Sequence, residues 1–381
     1  MDNHPLSIHT NQTGGSTLIM AGVLLFSTTL ITLYGAQVGV LEQRVTNNFY
    51  RAKQAAMASD AGLNKTIVAI KRSNVTTDSG ILDNMALSEV GTYDIAYQTL
   101  TSGNPDKLLV SVTGHSLDDS STSKVSQKFE FSPFLRSTVP AVTLTSFANI
   151  TLTNNINIDN KNGANDTLIW TGGTLSKSDD VHCPRSPSQT STTIQKERIV
   201  TLSTELTLNA DGSTKNGNAY FETFFTNTKE NIKKVSTVVD CTTSGCTNSD
   251  IEGLTGLVWV EGDVEMSYAK NTGIYTQDAA GTVTAIAPVV LIVTGDFKMS
   301  NINAQVNGLV YLMGDWLNNN GNAKGKIKGS VIVEGQTILT GTTTTAEFLE
   351  LKYNQTIIDY LKANSGVYLP VPGSWRNFEN S

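Results

Sequence analysis

The chain has 381 residues, a formal net charge of −7 and only 16% charged residues, with 31 glycines. That length allows one large or two modest domains, and a Thr-, Asn-, Ser- and Gly-rich make-up speaks for a β-rich exported protein rather than a cytosolic helical enzyme. No run of Lys and Arg interleaved with aromatics occurs, so nucleic-acid binding has little support.

The first predicted element is a helix. No charged residue lies between Thr10 and Leu41, and Leu18–Leu41 is apolar except for Ser, Thr, Gln and Tyr. As a helix this stretch spans about 36 Å, enough for a hydrocarbon core. A cleaved secretory signal would have a basic start, a shorter apolar run and small residues after it. Here the small residues Gly14, Gly15 and Ser16 come before it. The helical pattern then continues, with apolar or small residues at Leu41, Val45, Phe49, Ala52, Ala56 and Leu63 and no proline. One continuous helix is therefore expected over about 16–72, its apolar part over about 18–41. The basic residues Arg44, Arg51 and Lys53 follow the apolar run; the charge rule that would hold them inside weakens for a large translocated domain.

Residues 73–139 contain three alternating runs, "TYDIAYQTL", "DKLLVSVTGHS" and "SKVSQKFEFSPF", which read as an antiparallel meander packed on the helix. Residues 140–381 are β-rich. Within them 174–250 reads as an irregular insertion holding Cys183, Cys241 and Cys246, with one helix over Ala219–Val235 whose aromatics form a core stripe. "DCTTSGC" spaces Cys241 and Cys246 for a small disulfide loop in an exported chain, the alternative being three unpaired thiols. Only His182 lies beside a cysteine, so zinc is not expected.

Four repeats occupy 257–345: "LVWVEGDVEMS", "VLIVTGDFKMS", "LVYLMGDWLNN" and "SVIVEGQTILT". Their turn glycines, Gly262, Gly295, Gly314 and Gly335, are separated by 33, 19 and 21 residues, a period that predicts a parallel β-helix-like solenoid. The wider gap is one coil plus the loop "AKNTGIYTQDAAGT". The tail 347–366 is expected to form helical segments that cap the solenoid. The fold class is thus α+β: a long N-terminal helix, a β-rich head and a C-terminal solenoid. Asp263, Asp296 and Asp315 recur at one turn position, which turn chemistry explains without catalysis. "DNKNGAND" (159–166) lacks the spacing of a calcium loop and reads as a polar turn. No nucleophile-elbow, zincin or phosphate-loop motif appears. The chain is not expected to be an enzyme or to hold a cofactor or metal.

The stretch Gly15-Ser16-Thr17-Leu18-Ile19 resembles the class III leader site of type IV prepilins. The segment Gly39–Leu63 is similar to the N-terminal motif of PilX-type minor pilins. It presents, in order, Leu41, Glu42, Arg44, Asn47 or Asn48, Ala55, Ala56, Ala58, Ala61, Gly62 and Leu63. This resemblance implies that prepilin peptidase removes 1–15 between Gly15 and Ser16, leaving Ser16 as an N-methylated mature end. It implies a prepilin in the inner membrane of a Gram-negative bacterium and then an extracellular pilus. The partners it implies are other minor and major pilins, together with a host or surface ligand if the subunit adheres. It assigns subunit packing to Met20, Glu42 and Arg44. Met20 stands where most pilins carry a Glu that neutralises a neighbour's N-terminal amine, and a buried charge needs such a partner. A subunit without it, as in the K-type pseudopilins, is implied to sit at the tip. A membrane-anchored adhesin and a β-helical carbohydrate-active enzyme are the other readings of the same sequence.

Overall fold

A computed structural model describes residues 13–72, 81–87, 91–99, 107–137, 139, 141–160, 167–178, 181–182, 199–343 and 348–377. The fold is α+β. Helix α1 runs unbroken over Thr13–Arg72, about 90 Å at 1.5 Å per residue. Two compact units divide the chain: Met1–Val68, Thr77–Phe129 and Pro370–Ser381 form one, and Ala69–Thr76 and Glu130–Leu369 the other.

In the first unit the two halves of α1 differ. From Leu18 to Tyr50 the large apolar side chains are exposed, apart from half-buried Val38. The Ser and Thr hydroxyls in this stretch bond back to their own helix, Ser27 to the Val23 carbonyl at 2.8 Å and Thr29 to that of Leu25 at 2.9 Å. They therefore need no outside partner in an apolar medium. From Gln54 onward the small face Ala55, Ala58, Ser59 and Gly62 is buried, together with Leu63 and Thr66. It packs on a sheet that includes β1 (Ile81–Leu87), β2 (Gly91–Thr99), β3 (Lys107–His115) and β4 (Thr122–Pro133). The approach is close. A Cβ on Gly62 would lie 2.6 Å from the Tyr93 ring and 2.7 Å from Val112. The three expected strands are β2, β3 and β4. Strand β1 is additional; a register shift between Leu82 and Met85 breaks the alternation that would have marked it.

The second unit is built on three parallel ladders. The strands that precede the helical stretch are short: β5 (Leu144–Ser146), β6 (Ile150–Thr153), β7 (Ile156–Asp159), β8 (Ile169–Thr171), β9 (Leu175–Lys177), β10 (Val181–His182) and β11 (Ile199–Val200). After helices α2 (Thr204–Thr207), α3 (Gly217–Phe224) and α4 (Lys229–Val235) come β12 (Thr237–Thr247), β13 (Gly256–Met266) and β14 (Asn271–Thr272). They are followed by β15 (Ile274–Gln277), β16 (Val283–Ala287), β17 (Val289–Val293), β18 (Phe297–Leu312) and β19 (Trp316–Val333). The last elements are β20 (Thr337–Gly341), β21 (Leu349–Lys352), α5 (Gln355–Asn364), β22 (Gly366–Pro370) and β23 (Arg376–Asn377).

The first ladder stacks β12, β13, β17, β18, β19, β5, β8 and β11 in that order, all parallel. The second stacks β13, β18, β19, β20, β6 and β9. The third stacks β14, β18, β19, β21, β7 and β10. One passage of chain from Val289 to Asn307 visits all three ladders, and Gly308 begins the next, directly beside Val289. Inward side chains of all three ladders, among them Val260, Leu291, Phe297, Trp316, Ile327 and Ile150, form one apolar cluster. The extra residues in the long repeat form the antiparallel β15–β16 hairpin.

The stacking order departs from the chain order. Strand β5, the first to enter the ladders, pairs with β19, nearly the last. Within the 174–250 stretch β9, β10 and β11 lie on the three ladders and β12 borders β13, while α2, α3 and α4 lie between β11 and β12. The expected helix over Ala219–Val235 is two helices, because Phe225 adopts extended backbone and Thr228 then caps α4 by accepting from the Asn231 N–H. The tail places α5, with Ile357, Ile358 and Leu361, in the apolar cluster outside the first ladder beside Tyr311 and Ile332, not over an end of the stack. This ladder is buried on both faces, which explains its near-continuous apolar strands such as "VVLIV".

Candidate functional site

The repeat aspartates form a column. Asp263 Oδ1 accepts from the Asp296 N–H at 2.8 Å, Asp296 Oδ1 from the Asp315 N–H at 2.9 Å and Asp315 Oδ1 from the Gln336 N–H at 2.7 Å. Each turn thereby satisfies a backbone donor of the next repeat. The preceding glycines are needed for the spacing. A Cβ on Gly314 would sit 2.5 Å from the Gly295 carbonyl carbon, and one on Gly335 would strike the Asp315 carboxylate. A corner asparagine does similar work: Asn318 donates to the Met299 carbonyl at 3.0 Å and accepts from the Met299 N–H at 2.9 Å.

Cys241 and Cys246 form a disulfide. Cys183 lies outside the described residues, as do residues 161–166 of the polar "DNKNGAND" turn. Among the described residues, no group of three or more His, Cys, Asp or Glu is placed to hold a metal ion.

At the start of α1, Gly15 and Ser16 already lie inside the helix, and nothing approaches the Gly15 Cβ position within 4 Å. Met20 is 71% exposed. Glu42 and Arg44 are exposed on the same helix, and the structure brings neither to Met20, which lies more than 20 residues away along it. This helix is long and apolar enough to cross a membrane, and none of its most apolar window is buried.

Two polar clusters are marked by no local sequence motif. In the first unit His115 lies between Asp94 (3.1 Å) and Asp119 (2.8 Å), and Arg51 pairs with Asp118 at 2.7 Å. Hydrogen bonds from Ser120 and Ser116 hold the Asp118 carboxyl down at about 2. In the second unit Glu334 sits beneath α4. It pairs with Lys229 at 2.7 Å and accepts from the Tyr311 hydroxyl at 2.6 Å. Burial raises its pKa; bonds from Lys229 and Tyr311 oppose that shift without cancelling it. Burial also pushes Tyr311 and Tyr220 well above the usual tyrosine range. Around them Phe221 stacks on Phe225 with ring centroids 4.1 Å apart, and both rings meet Tyr311 edge-on. These aromatics are core, not a ligand cage. Nothing in the local sequence announced the carboxylate among them, because its partners come from elements 23 and 105 residues away.

No protein-family model matches the chain, and no curated protein matches it. Among solved structures, the crystal structure of the competence-associated pilin ComZ from Thermus thermophilus is similar at 12% identity, over 86% of this chain and 97% of that one. The TM-score is 0.27, at which the likeness fixes neither fold nor function.

Proposed function

We propose that this chain is a minor-pilin-type subunit of a type IV pilus, held in the inner membrane as a precursor and then built into the filament. The observation that carries this reading is the division of α1. Its first part exposes a predominantly apolar surface from Leu18, while its second part buries Ala55, Ala58 and Gly62 against an antiparallel sheet. A helix with an uncovered apolar half needs lipid or other helices around it. The leader motif at Gly15-Ser16 and the Gly39–Leu63 segment supply the rest.

On this reading prepilin peptidase cuts between Gly15 and Ser16, and Ser16 is methylated. Other minor and major pilins cover the apolar half, with Glu42 and Arg44 at the packing surface. Met20 leaves a neighbour's N-terminal amine without its usual carboxylate, which favours a place at the tip. We read the three ladders as the faces of a parallel β-helix, a bulky head better carried at a tip than within a packed shaft, and suited to surface adhesion. The aspartate column serves the coil turns, so the reading includes no catalysis. The test is co-production with a prepilin peptidase and shearing of the pili. Wild-type chain is expected in the sheared fraction in shortened form; Gly15→Asp is expected to stay in the envelope at full length while still inserting. A full-length wild-type chain confined to the envelope would instead favour an anchored adhesin.

A further inference from the structure

The Cys241–Cys246 loop makes a second candidate site. Cys241 pairs with Gly262 and Cys246 with Val264, so four residues of β12, Thr242–Gly245, face the single residue Asp263 on β13. The surplus chain bulges out at the last strand of the first ladder, and the disulfide closes its base. The bulge borders an open cleft of about 720 Å³ in which Thr243, Asp263, Glu265 and Lys298 are exposed, within the roughly 300–1,000 Å³ range of small-molecule sites.

Its walls are polar and incompletely used. Asp263 and Asp296 both line it. Each spends Oδ1 on the next repeat, and the second carboxylate oxygen of each makes no hydrogen bond among the described residues. The Thr243 hydroxyl and the Lys298 ammonium, also in the lining, are likewise uncommitted there, and Glu265 has one oxygen engaged by Ser300. The site therefore offers carboxylate acceptors, one cationic donor and one hydroxyl that can do either. That mixture matches the adjacent hydroxyls of a sugar ring. Asp263, Glu265 and Asp296 outnumber Lys298, which disfavours acidic sugars and favours neutral or amine-bearing ones. The carboxylates do not converge as metal ligands.

We propose that this corner is a saccharide-binding site selective for neutral or amine-bearing sugar residues. The site is independent of how the N-terminus is processed.

The test uses the full chain in lipid nanodiscs with EDTA present and saturation-transfer NMR. The probes are the β-1,4-linked glucosamine tetramer, cellotetraose and tetragalacturonate. Binding of the first two is expected, with tetragalacturonate at least about tenfold weaker. Asp263→Asn keeps the Oδ1 acceptor for the Asp296 N–H while removing the charge; it should weaken the glucosamine tetramer about tenfold at unchanged melting temperature. Thr243→Ala, on an exposed loop, should weaken both bound sugars by about threefold. Absence of binding by either sugar at millimolar concentration would overturn the proposal. So would tetragalacturonate binding as tightly as cellotetraose, or affinities that both variants leave within about twofold. Calcium alone perturbing the same residues, with no sugar effect, would also overturn it and make the corner a cation site.

Discussion

The carboxylate of Asp296 accepts a hydrogen bond from the backbone N–H of Asp315, 19 residues later, at 2.9 Å, and the same bond recurs in the repeats to either side. The column ties side-chain identity to repeat spacing, so it predicts a split between two substitutions. Asp296→Asn retains the acceptor and is expected to be near neutral. Asp296→Ala orphans a part-buried N–H and should cost about 1–3 kcal/mol, a fall of a few degrees in melting temperature for a unit of this size. Thermal unfolding followed by circular dichroism reads both. Equal effects from Asn and Ala would mean that the column bond does not matter.

The contact between α1 and its sheet is as demanding. A Cβ on Gly114 would lie 3.0 Å from the Ala58 carbonyl carbon, and nearer still to the Ala55 carbonyl oxygen and the Ser59 nitrogen. These are backbone atoms that cannot step aside. Gly114→Ala is expected to cost about 1–3 kcal/mol through overpacking and to expose 51–68 to limited proteolysis. A protection pattern identical to wild type would show that the helix does not seat on β3 as described.

Glu334 supplies a pH dependence. Its folded pKa is raised from the ordinary 4.5, with burial the largest cause. The native state therefore holds the proton more tightly than the unfolded chain. The contribution of this group is most favourable below the unfolded value and declines as pH rises through the raised folded value. Glu334→Gln, which can still accept from Tyr311, should remove that decline. Urea unfolding at several pH values from 4 to 8, taken as the difference between wild type and variant, isolates it. A difference that does not change with pH contradicts the raised pKa.

The disulfide spans five residues of separation. In the chain-entropy description, closing so short a loop is worth about 2 kcal/mol, so Cys241→Ser with Cys246→Ser should lower stability by about that amount. The loss should fall on β12 and the cleft it borders, because β12 is the terminal strand of its ladder. Hydrogen exchange at Thr237–Thr247 is the measurement; uniform loss of protection across all repeats would contradict a local role.

Much of this architecture is legible in the sequence because it depends on local regularity. The apolar run from Leu18, the helical spacing through Leu63, the Gly-Asp period and the Cys241–Cys246 spacing each declare their element within a few turns of chain. What is not legible depends on contacts across long separations. The docking of β5 on β19 joins Leu144 to Val331, and no period in the chain announces it. The ladder strands inside 174–250 are hidden for that reason: β9, β10 and β11 are two or three residues long, too short to show alternation, and are held by neighbours. The single helix over Ala219–Val235 failed at Phe225, where aromatic periodicity continued but an isolated bridge to Leu135 held the backbone extended. The corner cleft was invisible because its walls come from β12, β13, the turn at Thr294 and β18.

The account stands or falls on the N-terminus. The most direct measurement is the intact mass and N-terminal peptide of the chain produced with a prepilin peptidase and recovered from the envelope or sheared pili. The account predicts a chain that begins at Ser16 and carries one added methyl group. A chain that retains Met1–Gly15, in the presence of a peptidase that matures a control pilin, would contradict it.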